Sequence, residues 1–146
     1  GCHVTAFTSS QDKNELIKSM GADEVISSTD KVTLKDMGAK FDLLISTVNV
    51  SLDWNLFLNT IKPRGRLHFV GAVLEPIKSS VFSLMTGRRS ISGSPVGSPK
   101  NIKKMLNFCV QHNIKPIVEH FKFSDINNAI AKVRSNEVRF RAVLSW

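Results

Sequence analysis

The chain has 146 residues, 42% of them apolar and 22% charged, with two cysteines. A chain of this length buries roughly two thirds of its unfolded surface and needs no disulfide or metal staple. Cys2 and Cys109 are far apart with no C-x-x-C pair, which excludes zinc fingers and disulfide scaffolds. Cysteine usage suits a reducing compartment. No run approaches the roughly 20 apolar residues of a membrane helix, and Gly1 to Ser10 lack an apolar leader core. A cytoplasmic chain with no membrane partner is therefore expected.

Twenty Lys and Arg against twelve Asp and Glu give a net charge of +8. This favours phosphate-bearing partners in general, from nucleic acid to a nucleotide cofactor. The basic residues are scattered, with no long run and little aromatic interleaving, which is the pattern of solvated helix faces. A bound nucleic acid is not expected, although a non-catalytic nucleotide- or nucleic-acid-binding module, or a decayed remnant, stays as the alternative reading.

Short β-branched runs alternate with helical stretches along the chain, a pattern that predicts an α/β fold. His3 to Thr8 reads as a strand, Ser10 as an N-cap, and Leu16, Ile17 and Met20 as a helical stripe closed by Gly21. Glu24 to Ser27 is a short strand, and a weakly patterned polar stretch follows. Phe41 to Val48 reads as a strand whose continuous Leu43-Leu44-Ile45 suits a central position covered on both faces. Leu52 to Ile61 reads as a helix stopped by Pro63 and Gly65, Leu67 to Val73 as a strand, Phe82 to Arg88 as a helix, and Ser90 to Ser94 as a strand. Ser98-Pro99 predicts an N-cap with proline in the first turn. Behind it, Ile102, Met105, Leu106 and Cys109 form one apolar stripe, expected in the core. Ser124 is read as the cap of a helix carrying Ile126, Ile130 and Val133, and Val138 to Leu144 as a closing strand.

Such alternation predicts a doubly wound parallel sheet, in which ligands bind at the carboxyl ends of strands. The residues just after each run are Thr8-Ser9-Ser10, Thr47-Val48, Val70-Gly71-Ala72 and Gly93 to Gly97. They are small or hydroxylated, as close approach of a flat ligand to the backbone requires.

Six stretches carry a resemblance: Gly21 to Ile26, Phe41 to Val48, Leu67 to Gly71, Phe82 to Arg89, Ser92 to Ser98 and Val138 to Arg141. In this order they resemble the cofactor domain of zinc-dependent medium-chain alcohol dehydrogenases, most closely the cinnamyl alcohol dehydrogenase branch. The resemblance covers essentially the whole chain. It implies a Rossmann-like domain lacking the first strand and its glycine-rich turn, so a C-terminal, partial NADP-binding domain over residues 1–146 without the N-terminal zinc domain. In the doubly wound order 3-2-1-4-5-6 the lost strand is central. Two open edges are then expected, either rejoined directly or paired with another chain, and the last sheet strand suggests a homo-oligomer.

Enzymes using NAD place a carboxylate at the end of the strand here ending in Thr8, where it holds the ribose 2′-hydroxyl. This chain has Thr8, Ser9 and Ser10, with Lys13 following, which favours NADP. The resemblance further assigns Thr47, Val48, Val70, Gly71 and Ala72 to contacts along the cofactor. It gives Ser94, Pro95 and Val96 to the carboxamide and substrate side, and Arg141 to the cofactor phosphates. It implies interconversion of small-molecule primary alcohols and aldehydes by hydride transfer, with a zinc ion whose ligands are not in this chain. His3, His68, His112 and His120 match none of them. No catalytic or metal-binding residue is assigned, and the chain alone is expected to be inactive.

Overall fold

Every β-ladder in the protein is parallel. The computed structural model describes residues 1–146 and divides into two compact units, Gly1–Val96 and Gly97–Trp146. It is the mixed α/β, Rossmann-like architecture that the alternation predicts.

In the first unit β1 (Thr5–Thr8) leads through a 3-10 turn (Gln11–Lys13) into α1 (Asn14–Ser19) and β2 (Glu24–Ser27). Gly21 follows α1 at φ 104°, a conformation costly for any residue with a Cβ. Then come α2 (Lys31–Asp36), β3 (Phe41–Ser46), α3 (Trp54–Asn59), β4 (Ile61–Phe69), α4 (Val81–Gly87) and β5 (Ser90–Gly93). The strands form two separate sheets, β1-β2 and β3-β4-β5. The half-sheets have not rejoined.

The core of this unit is Leu34, Leu44, Trp54, Phe57, Leu58, Ile61 and Leu67, with Phe7 and Phe41 packed against it. Phe7 meets Phe41 and Phe57 edge to face at 5.6 and 5.5 Å between ring centroids, the arrangement ring quadrupoles favour.

Several expectations are corrected here. Leu43 and Ile45 are not covered on both faces; they are 52% and 55% exposed. β3 is an edge strand, and only its Leu44 and Ser46 side is buried. Pro63 and Gly65 do not end an element before a new strand, because β4 runs through both. Pairing passes from Phe41–Ile61 to Leu43–Arg66, so Lys62 to Gly65 bulge off the ladder and proline's missing N–H costs nothing. A Cβ on Gly65 would lie 2.8 Å from the Asp42 carbonyl oxygen, which explains glycine there. The polar stretch after β2 contains α2, capped by the Asp30 carboxylate accepting from the Val32 and Thr33 amides at 3.1 and 3.0 Å.

The second unit holds α5 (Pro99–Gln111), β6 (Val118–Lys122), a 3-10 turn (Phe123–Asp125), α6 (Ile126–Arg134) and β7 (Arg141–Ser145), with β6 and β7 paired. The Ser98 hydroxyl accepts from the Asn101 amide at 3.3 Å as its sequence predicts. The expected core stripe of α5 is half-exposed instead: Met105 and Leu106 are each 54% open. Amphipathic spacing fixes a face but cannot supply an element to cover it. Ser124 lies inside the 3-10 turn and does not cap α6, which begins after Asp125.

Candidate functional site at the strand ends

β1 ends in a turn organised by its own side chains. The Thr8 hydroxyl accepts from the Ser10 amide at 3.1 Å and donates to the Ser10 carbonyl at 3.2 Å. Ser10 does not cap the following turn through its side chain; its hydroxyl donates to the Asp12 carboxylate. Ser9 stands exposed and Lys13 is half-buried. Thr8 therefore holds the turn, Ser9 is the hydroxyl presented outward, and Asp12 adds a negative charge that pattern reading missed.

The ends of β3 and β4 are fused. The amides of Val70 and Gly71 both donate to the Ser46 carbonyl, at 2.9 and 3.1 Å. Gly71 approaches so closely that a Cβ there would lie 2.6 Å from the Thr47 carbonyl carbon. Thr47, Val48, Val70, Gly71 and Ala72 thus form one rim, and only glycine fits its tightest point.

One cleft of about 470 Å³ opens between the two half-sheets, lined by Thr8 and Ser9 from one side and by Thr47 and Val48 from the other. Its floor includes Phe7, Phe57 and Trp54. Gly71 and Ala72 line an adjoining hollow of about 250 Å³ with Phe69, Ile91 and Gly93. The structure so brings together Thr8, Ser9, Thr47 and Val48, and seats Gly71 and Ala72 beside them. Ser94 follows β5, its amide donating to the Phe69 carbonyl at 3.0 Å. Pro95 and Val96 are exposed. Arg141 is an exposed residue at the start of β7, in the other unit.

Two features escaped the sequence reading. His68 is held between two serine hydroxyls, Nδ1 at 2.8 Å from Ser92 Oγ and Nε2 at 3.0 Å from Ser94 Oγ. A neutral imidazole has one donor and one acceptor, so one serine must donate and the other accept. Its signal is period-two spacing on β4 and β5, readable only once the His68–Ser92 register is known. At the other end of β2, the Glu24 carboxylate takes the Lys40 ammonium at 2.5 Å and the Thr5 hydroxyl at 3.0 Å. The Lys40 hydrogen bond, then that of Thr5, holds its carboxyl below the ordinary glutamate range.

Comparison with known proteins identifies what these strand ends belong to. Residues 1–111 match the family described as zinc-binding dehydrogenase. The chain belongs to that family. Among curated dehydrogenase relatives, the aldehyde reductase AdhA of Synechocystis sp. is 50% identical over 145 residues, 99% of this chain and 43% of that protein. Among solved structures, a cinnamyl alcohol dehydrogenase of Sorghum bicolor superposes with a TM-score of 0.87 at 31% identity, over 97% of this chain and 40% of that one. The structure of CAD from Helicobacter pylori complexed with NADP(H) gives 0.79 at 28% identity, again over 97% and 40%. The chain thus spans about two fifths of the length of these dehydrogenases. Nowhere in it do three or more His, Cys, Asp or Glu side chains converge as metal ligands. The residues present do not fit a zinc site, so no chemical step of a metal is assigned to them. No helix is long and apolar enough to cross a membrane.

Proposed function

We propose that this chain is the cofactor-binding part of a dehydrogenase that interconverts primary alcohols and aldehydes with NADP(H). The observation carrying this reading is the cleft between parallel strand ends, where Thr8 and Ser9 face Thr47 and Val48. Ligands of open parallel sheets bind at that end, where the strand order switches. When bound, a nicotinamide cofactor supplies or accepts the hydride.

The chain's own residues bind, orient and exclude water. The Ser9 hydroxyl and the Lys13 ammonium receive the 2′-phosphate. The Ser10 hydroxyl joins them by turning from the Asp12 carboxylate, to which it donates in the absence of a ligand. Thr47, Val48, Gly71 and Ala72 form the apolar wall along the cofactor, with Gly71 keeping it thin. Ser94, steadied by His68, leads Pro95 and Val96 along the carboxamide side. Catalysis requires parts that the relatives carry outside this span, so the chain alone is inactive. Residues 1–146 act as a cytoplasmic, homo-oligomeric cofactor domain; the exposed Val81, Phe82 and Met85 of α4 support an oligomer by offering an apolar patch.

Thermal melts with NADP, NADPH, NAD and 2′-phospho-AMP at matched millimolar concentration test the reading, since a ligand that binds only the folded form raises the melting temperature. Upward shifts are expected with the three 2′-phosphorylated compounds and a smaller one with NAD. An equal or larger shift with NAD overturns the NADP assignment. No shift at all, with salt-sensitive retention on heparin, favours the nucleic-acid module.

A further inference from the structure

His68 is the only polar side chain in the run Leu67 to Val73. Its neighbours Leu67 and Phe69 turn to the core of the first unit, so alternation puts the imidazole on the opposite face of β4. There it lies opposite Ser92 of β5, and one period further along the same face comes Ser94. The two contacts of the ring, 2.8 Å to Ser92 and 3.0 Å to Ser94, differ in kind. Ser92 lies within β5, whereas Ser94 lies just after its last residue, Gly93.

Ser94 is the last fixed point before an open stretch of backbone. Its amide donates to the Phe69 carbonyl at 3.0 Å and its hydroxyl meets His68 Nε2, so both of its anchors are adjacent residues of β4. Pro95 and Val96 then stand exposed, Val96 to 83%. The Ser94 and Pro95 carbonyls and the Val96 amide take part in no backbone hydrogen bond, and Pro95 has no N–H to offer. Free acceptors and a free donor are thus presented together, a set complementary to a carboxamide with its two N–H groups and one carbonyl. Where they point is decided by how Ser94 is held.

We propose that His68 is a positioning residue for the nicotinamide end of the cofactor: through Nε2 it fixes Ser94, and with it the course of the Ser94-Pro95-Val96 backbone. The inference rests on the cofactor reading given above and adds to it a residue that acts through another. A neutral imidazole bridges two hydroxyls in either tautomer, donating at one nitrogen and accepting at the other. The hydroxyls rotate to suit, so the bridge holds whichever nitrogen carries the proton. An apolar side chain of similar size fills the same space on the strand but leaves Ser94 tied by its amide alone.

Substitution separates the two contacts. An asparagine amide reaches the place of Nδ1, a glutamine amide the place of Nε2, and leucine offers no polar atom at either. His68→Asn therefore keeps the Ser92 contact only, His68→Gln keeps the Ser94 contact, and His68→Leu loses both. Titration calorimetry on the full chain compares NADPH with 2′-phospho-AMP, which lacks the nicotinamide, and amide exchange at Ser94 is followed without ligand. His68→Leu and His68→Asn are expected to weaken NADPH about three- to tenfold, the scale of one hydrogen bond, to leave 2′-phospho-AMP unchanged, and to speed Ser94 exchange by a similar factor. His68→Gln is expected to match the parent in all three. Ser94→Ala should lose as much NADPH affinity as His68→Leu, and the double substitution no more than either alone.

Equal weakening of both ligands marks a merely structural side chain and overturns the proposal. So does a His68→Gln protein as impaired as His68→Leu, or a parent that holds 2′-phospho-AMP as tightly as NADPH. Unchanged Ser94 exchange in His68→Leu overturns the inference alone, since that readout involves no nucleotide. A parent that binds neither ligand defeats the cofactor reading and the inference with it, so the two failures are told apart.

Discussion

A Cβ built on Gly71 lies 2.3 Å from the carbonyl oxygen of Val48. The end of β4 therefore touches the backbone after β3, and the rim has no room for a methyl group. Gly71→Ala is expected to destabilise the first unit by about 1–3 kcal/mol, the usual cost of overpacking, and to abolish any nucleotide-induced melting shift. Urea denaturation with and without NADPH measures both; an unchanged midpoint with intact binding refutes the assignment.

Leu58 is fully buried among Trp54, Phe57, Ile61 and Leu67. Leu58→Ala removes three methyl and methine carbons and leaves a cavity, at a cost of about 2–5 kcal/mol. The same substitution at exposed Leu74 is expected to fall within about 0.5 kcal/mol of the parent. A matched pair of denaturant midpoints checks the contrast.

Ser46 presents the opposite case, a buried hydroxyl without a hydrogen-bond partner. Removing an unsatisfied buried polar group relieves a desolvation cost of roughly 1–3 kcal/mol. Ser46→Ala is expected to raise the melting temperature of the chain, and a thermal melt of the two proteins side by side checks it.

Lys13→Ala is expected to weaken NADPH binding about tenfold or less, the scale of one charge-assisted contact, and to leave NAD unaffected. Asp12→Asn should act oppositely by removing the carboxylate beside Ser10. Titration calorimetry distinguishes the two; equal loss of NAD and NADPH in Lys13→Ala removes this residue from the 2′-phosphate site.

The Glu24 carboxyl is held below its ordinary value by Lys40 and Thr5. Its contribution is present in full above the unfolded glutamate value of about 4.3 and is lost as pH falls through the lowered folded value. The groups are more than one third exposed, so solvent screening limits the effect to a few tenths of a kcal/mol up to about 1. Stability of the parent should decline toward pH 3 more steeply than that of Glu24→Gln.

Local chemistry was legible and remote chemistry was not. Ser98 followed by proline marks a helix start by itself, and Glu24 to Ser27 stands out between a glycine turn and polar residues. β6 escaped notice because Val118 to Lys122 alternates charge and bulk over only five residues. The burial of Leu43, Ile45 and the α5 stripe could not be read, since burial depends on what lies opposite and that information is spread across the chain. The small and hydroxylated residues after Thr8, Ser46 and Phe69 were visible as a pattern. The His68 pairing with Ser92 and Ser94 needs the β4–β5 register, and Asp12 is just one more surface acid until the Ser10 hydroxyl is seen turning to it.

The contact of Phe7 with Phe41 and Phe57 crosses a boundary that no main-chain bond crosses. Side-chain packing resists separation by a few kcal/mol spread over large areas and tolerates small rotations, whereas a ladder of hydrogen bonds fixes spacing to a fraction of an ångström. The two halves of the first unit are consequently held together by side chains, these three rings and the Glu24–Lys40 ion pair among them.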